Sequence, residues 1–80
     1  MSILAVEVEP LAVDARCDEN SLLVVLADGR EVSIPLEWSP RLQKATPAER
    51  DDWRFIGGGV GLHWEAIDED ISIESLLLLK

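Results

Sequence analysis

The sequence predicts an α+β fold in a single domain spanning residues 1–80: a small, mainly antiparallel sheet, then two or three short helices in the second half. Three observations carry this expectation. Apolar and polar residues alternate through much of the first 20 positions, the period of strands with one wet face. Asp28-Gly29 stands between two apolar runs, which is the strongest short-range hairpin signal. Ser39-Pro40 and Thr46-Pro47-Ala48-Glu49 are two helix starts in succession.

In chain order, Leu4, Val6 and Val8 fall on one side of a first strand and Ala5, Glu7 and Glu9 on the other, and Pro10 ends it. Leu11 to Cys17 alternates again, which places Leu11, Val13, Ala15 and Cys17 inward and Asp14 and Arg16 outward. After the polar turn Asp18-Glu19-Asn20, the run Ser21 to Ala27 is apolar without clear alternation. A strand covered on both faces has that composition, so this is the expected centre of the sheet. Asp28-Gly29 then makes a tight hairpin, because both residues can take positive φ. In the next strand Pro35 cannot donate to a ladder, so the strand ends there or lies at an edge.

Ser39 caps a short helical turn over Arg41 to Ala45, with Pro40 at the first helical position, where its missing N–H is not needed. Thr46 and Glu49 form a capping box, each side chain satisfying the other's amide, and open a helix from Pro47 to about Arg54. Leu42, Ala45 and Trp53 are its expected core contacts, with Arg50 and Asp51 in water. Phe55-Ile56 and Val60 to Trp64 flank Gly57-Gly58-Gly59, so the chain returns as a strand with Leu62 and Trp64 on one face and His63 on the other. Asp68-Glu69-Asp70 then favours the N-terminus of a last helix, Ser72 to Leu79.

Composition bounds the function. Eighty residues support one core and bury roughly 60% of the surface that the unfolded chain exposes. Apolar stretches such as Leu22 to Ala27 and Leu76 to Leu79 are far below the ~20 residues of a membrane span. The first residues lack the charge and apolar run of a signal peptide, so the expected compartment is the cytoplasm. Cys17 is the single cysteine, which rules out an internal disulfide and multi-cysteine zinc sites. A formal charge of −9 repels phosphate backbones, so no direct nucleic-acid binding is expected. Residues 1–40 hold eight acids and two bases, so a basic partner would be drawn mostly to that half.

No segment reads as a catalytic or cofactor site, and no cofactor is expected. Gly57-Gly58-Gly59-Val60-Gly61 lacks the order and the lysine of a phosphate loop and leads into a strand, so it reads as a turn. Asp68, Asp70, Ser72 and Glu74 alternate like the start of a calcium loop. However, Ile73 stands where that loop turns on glycine, and Leu79 where it needs glutamate. His63 with Cys17 could form a nucleophilic dyad only if the fold brings them together with a third, orienting group. Trp38, Trp53 and Trp64 are large core candidates in a chain with one Phe and no Tyr. Trp38, beside Glu37 and between two prolines, is the candidate surface anchor.

Taken together, Asp28-Gly29-Arg30 through Pro35-Leu36-Glu37-Trp38-Ser39-Pro40-Arg41-Leu42, then Ala45-Thr46-Pro47-Ala48-Glu49-Arg50-Asp51-Asp52-Trp53, Gly61-Leu62-His63-Trp64 and Asp68-Glu69-Asp70-Ile71 through Leu76 form a succession of blocks. This succession resembles the bacterial "domain of unknown function 2442" family. The resemblance implies a small α+β domain and carries no catalytic residues. It also implies that some members are joined to a helix-turn-helix segment, which is not expected here, and that some sit in toxin–antitoxin-like pairs. The leading expectation is therefore a non-catalytic interaction module, the acidic partner of a small basic protein. Its binding residues would be Glu7, Glu9, Asp14, Asp28, Glu31, Asp68, Glu69 and Asp70, with Trp38 as anchor. Two alternatives stay open: a structural homo-oligomer pairing edge strands, and a small enzyme or metal-binding protein using His63 or Asp68/Asp70.

Overall fold

Alternating side chains and three turn signals divide the chain into short strands, and the computed structural model describes residues 10–78 of it. The expected first strand, with Glu7 and Glu9, lies outside the described residues. In place of one expected sheet there are two among the described residues, each antiparallel and three-stranded. β1 (Ala12–Cys17), β2 (Ser21–Leu26) and β3 (Glu31–Pro35) form the first in that order, and β4 (Trp53–Ile56), β5 (Gly61–Trp64) and β6 (Glu69–Ser72) the second. A 3₁₀ turn (Leu36–Trp38) and helices α1 (Pro40–Lys44) and α2 (Pro47–Asp51) join the sheets, and α3 (Ile73–Leu78) follows β6.

β2 is the central strand of its sheet, but it does alternate. Leu22, Val24 and Leu26 are wholly or almost wholly buried, whereas Ser21, Leu23 and Val25 on the other face are half-buried. In β1 the expected facing is corrected. The register shifts between Ala12 and Asp14, so Ala12 and Ala15 point into the core and Val13 is 55% exposed. A bulge places two residues opposite one and so resets the alternation that the sequence suggests. The β2–β3 hairpin forms as expected around Asp28-Gly29, but only Gly29 takes positive φ (94°). Its N–H bonds the Leu26 carbonyl at 3.0 Å and the Leu26 N–H bonds the Arg30 carbonyl at 2.8 Å, which is a three-residue loop closed by glycine.

Both helix starts form where their capping residues place them. The Ser39 hydroxyl accepts from the Leu42 N–H at 3.4 Å, and the Thr46–Glu49 box closes with bonds of 3.1 and 2.9 Å. α2 nevertheless ends at Asp51 and not near Arg54, because Trp53 to Ile56 pair with β5 as Trp53↔Trp64, Arg54↔His63, Phe55↔Leu62 and Ile56↔Gly61. Arg50 is also not simply solvated: its Nε and Nη2 donate to the Leu42 and Gln43 carbonyls at 2.9 and 2.7 Å, closing the C-terminal end of α1. The acidic run 68–70 does not cap a helix. Glu69 to Ser72 add to the second sheet opposite Trp64, His63, Leu62 and Gly61, and α3 starts one residue later than expected, at Ile73.

The inner faces of both sheets share one core, with Leu22, Val24 and Leu26 from the first, Leu62 and Trp64 from the second, and Leu42, Ile73 and Leu76 from the helices. Trp53 is half-buried at its margin, edge-on to Phe55 with ring centroids 5.0 Å apart. The glycine turn locks the sheets together, since the Ala12 N–H donates to the Gly59 carbonyl at 2.8 Å. Among the described residues no helix is long and apolar enough to cross a membrane.

Candidate functional site

Trp38 owes its exposure to its neighbours. Leu36 and Ser39 are buried on either side of it, so the 3₁₀ turn and the start of α1 fix the backbone and leave the indole outside, 49% exposed. Ser39 is polar yet buried. Its Oγ accepts from α1 and donates to Glu69 Oε2 at 2.7 Å, and Arg41 donates to the carbonyl of Asp68. Asp68 takes φ 51°, a left-handed conformation that short acidic side chains tolerate. These bonds hold the turn before β6 against the start of α1. Between them lies a groove of about 370 Å³, with Ile34, Ile71 and Leu76 as its apolar walls, Trp38 at its lip, and Glu69 and Asp70 along one side.

The expected partner-binding residues therefore divide. Trp38, Asp68, Glu69 and Asp70 come together at or beside this groove. Asp14 and Glu31 lie elsewhere, flanking Val25 across the outer face of the first sheet. Asp28 sits at the hairpin tip, where the backbone N–H of Arg30 holds its carboxyl below the usual range and the Arg30 guanidinium pairs with it at 2.7 Å. Ile34, Ile71 and Leu76 are not legible as a site in the sequence, because each reads as an ordinary core position until two sheets and a helix set them around one hollow.

The other polar cluster is on the outer face of the second sheet. His63 lies between Arg54 and Asp70 in the cross-strand register, and its side chain is 13% exposed. Nδ1 meets Asp70 and Nε2 meets Glu65, whose carboxylate also lies 3.8 Å from Arg54. Hydrogen bonds to Glu65 and then Asp70 raise the His63 pKa above its ordinary 6.5, and the same bond to His63 lowers Glu65 below 4.5. A raised histidine stabilises the fold below 6.5 and stops doing so as pH rises through its folded pKa; a lowered glutamate stabilises it above 4.5 and stops as pH falls through its own. The cluster thus contributes most between about 4.5 and 6.5. Wild-type protein is expected to show a larger urea midpoint at pH 5.5 than at pH 8.5, and His63→Gln to remove the part of that difference owed to the cluster. Equal pH profiles for the two proteins would exclude the ion-paired histidine.

The two carboxylates occupy opposite edges of the ring, and among the described residues no three such groups converge on one point. Asp70 and Ser72 lie in extended β6 and Glu74 in α3, so their spacing does not wrap a loop. Cys17 lies on the first sheet, half-buried, with its thiol pushed up to about 11, mainly by burial. His63 is on the other sheet with both ring nitrogens engaged, so the structure does not bring the two together as a dyad.

The blocks that frame the groove and the His63 row, from β1 to the C-terminal residues, match the family described as "Protein of unknown function (DUF2442)" over residues 12–80. The chain belongs to this family. A DUF2442 match over these residues takes in the six described strands, the capping signals and the groove. The chain is also similar to a solved protein of unknown function from Rhodospirillum rubrum, with 32% identity, a TM-score of 0.76 and coverage of 88% of this chain and 87% of that one. No curated protein matches it.

Proposed function

We propose that this DUF2442 protein is a non-catalytic interaction module of the cytoplasm that docks a small basic protein at the Trp38 groove, as the acidic, antitoxin-like member of a pair. The observation that carries this reading is the half-exposed tryptophan at the lip of an apolar groove flanked by Glu69 and Asp70. Tryptophan is among the side chains that dominate interface energies, and carboxylates beside it select and steer a cationic surface. The formal charge of −9 favours such a partner and weighs against pairing with a second copy. The protonated Cys17 and the doubly engaged His63 weigh against nucleophilic chemistry.

The test is affinity purification from the native cell with wild-type and Trp38→Ala proteins at low and high salt. A Lys/Arg-rich protein should be recovered by wild type, weaken with salt, and be lost by the variant. Because Trp38 is half-exposed, its replacement should change stability by only about 1 kcal/mol and leave the fold intact. Recovery of no specific protein, or equal recovery by both forms, refutes the reading.

A further inference from the structure

The groove meets Glu69, Asp70, Ile71 and Ser72, four successive residues of β6. Side chains of a strand alternate between faces, so a surface that touches all four touches the edge of the strand. Among the described residues β6 is the edge of its sheet, with β5 on its other side. The direction of its backbone groups follows from two bonds. The Ile73 N–H reaches back to the Val60 carbonyl at 3.0 Å, on the β5 side. The Asp70 N–H instead bonds the Glu69 carboxylate at 3.1 Å. Since backbone direction also alternates, Glu69 and Ile71 face β5, and Asp70 and Ser72 present their N–H and C=O to the groove.

We infer that the partner binds as an added strand: an extended, lysine- or arginine-bearing segment pairs with the Asp70 and Ser72 backbone along the β6 edge, under Trp38. This rests on the interaction reading above and specifies how it is achieved. Strand addition draws affinity from main-chain bonds and specificity from alternate side chains. Here the side chains on the core-facing side would enter the apolar walls at Ile34 and Leu76, and those on the opposite face would meet Asp70, which shares that face with His63. A carbonyl of the incoming strand takes the place of Glu69 Oε1 at the Asp70 N–H and frees that oxygen for the cation, while Oε2 stays on the Ser39 hydroxyl. Trp38 can stack on the same cation from the opposite lip. The acidic lining selects a basic segment over a second, equally acidic copy of this chain.

The probe is a capped peptide of alternating lysine and valine, compared with the same peptide N-methylated at alternate residues so that it cannot pair with an edge. Hydrogen exchange of the Asp70 and Ser72 amides and titration of the intrinsic fluorescence are read on the full chain. The unmethylated peptide should slow exchange at both amides and bind about tenfold or more tightly than the methylated one, the loss expected for two backbone bonds. Trp38→Ala should weaken it too. Equal binding of both peptides through Trp38 overturns strand addition but leaves the interaction module standing. Unchanged Asp70 and Ser72 exchange at saturating peptide also overturns it, as does protection that grows with protein concentration alone, the mark of a second copy. The affinity purification tests the broader reading separately.

Discussion

Replacing Gly59 by alanine is expected to destabilise the protein by about 3 kcal/mol, a large share of the about 4–12 kcal/mol available to a chain of this size. A Cβ at Gly59 would stand 2.5 Å from the Ala12 carbonyl oxygen and 3.1 Å from the Ala12 nitrogen, and its φ is +117°. Both obstacles are backbone atoms of β1 and cannot rotate aside. The Gly59 carbonyl also accepts the Ala12 N–H at 2.8 Å, so any shift that relieves the clash breaks the bond between the sheets. Gly58, with φ +73° and open space for 4 Å around the place a Cβ would take, is the control. Gly58→Ala should lose only the left-handed backbone preference, about 1 kcal/mol. Urea unfolding followed by tryptophan emission separates the two, and equal midpoints would show that the glycine turn does not couple the sheets.

Trp64→Ala is expected to lose about 4 kcal/mol and Trp64→Phe about 2 kcal/mol. The side chain is fully buried at the centre of the shared core, and its indole N–H donates to the Arg50 carbonyl at 2.9 Å, joining β5 to α2. Alanine leaves a cavity and a carbonyl without that donor, whereas phenylalanine keeps most of the volume and loses only the bond. Far-UV circular dichroism with chemical denaturation measures both. The contrast with Trp38→Ala is the informative part, since the two tryptophans differ in environment and not in chemistry. A Trp64→Ala protein no less stable than Trp38→Ala would contradict the burial on which the fold rests.

Legibility follows the range of the physics involved. Thr46 and Glu49 satisfy each other's amides three residues apart, so their box can be read from spacing alone, and so can the Ser39 cap and the glycine at the β2–β3 turn. Trp38 is exposed, as its sequence context suggests, because two prolines and a cap fix the backbone around it. Expectations fail where a distant partner decides. Val13 reads as inward-facing, and a bulge opposite β2 turns it out. Trp53 reads as part of a helix and Asp70 as a helix start, yet both are in strands because β5 offers each an unpaired edge.

The candidate site shows the same division. The acidic balance and the exposed tryptophan come from the sequence, but the groove arises only where β3, β6 and α3 converge, and the pairing of His63 with Asp70 requires β6 to lie beside β5. By itself the sequence determined the α+β class, the turns, the caps and the sign of the charge, since these depend on residues a few positions apart. The tertiary structure alone decided that the described strands divide into two sheets, which face of β1 is buried, and which acids gather beside Trp38. Strand pairing and burial are settled between segments tens of residues apart, and local propensity yields where they disagree.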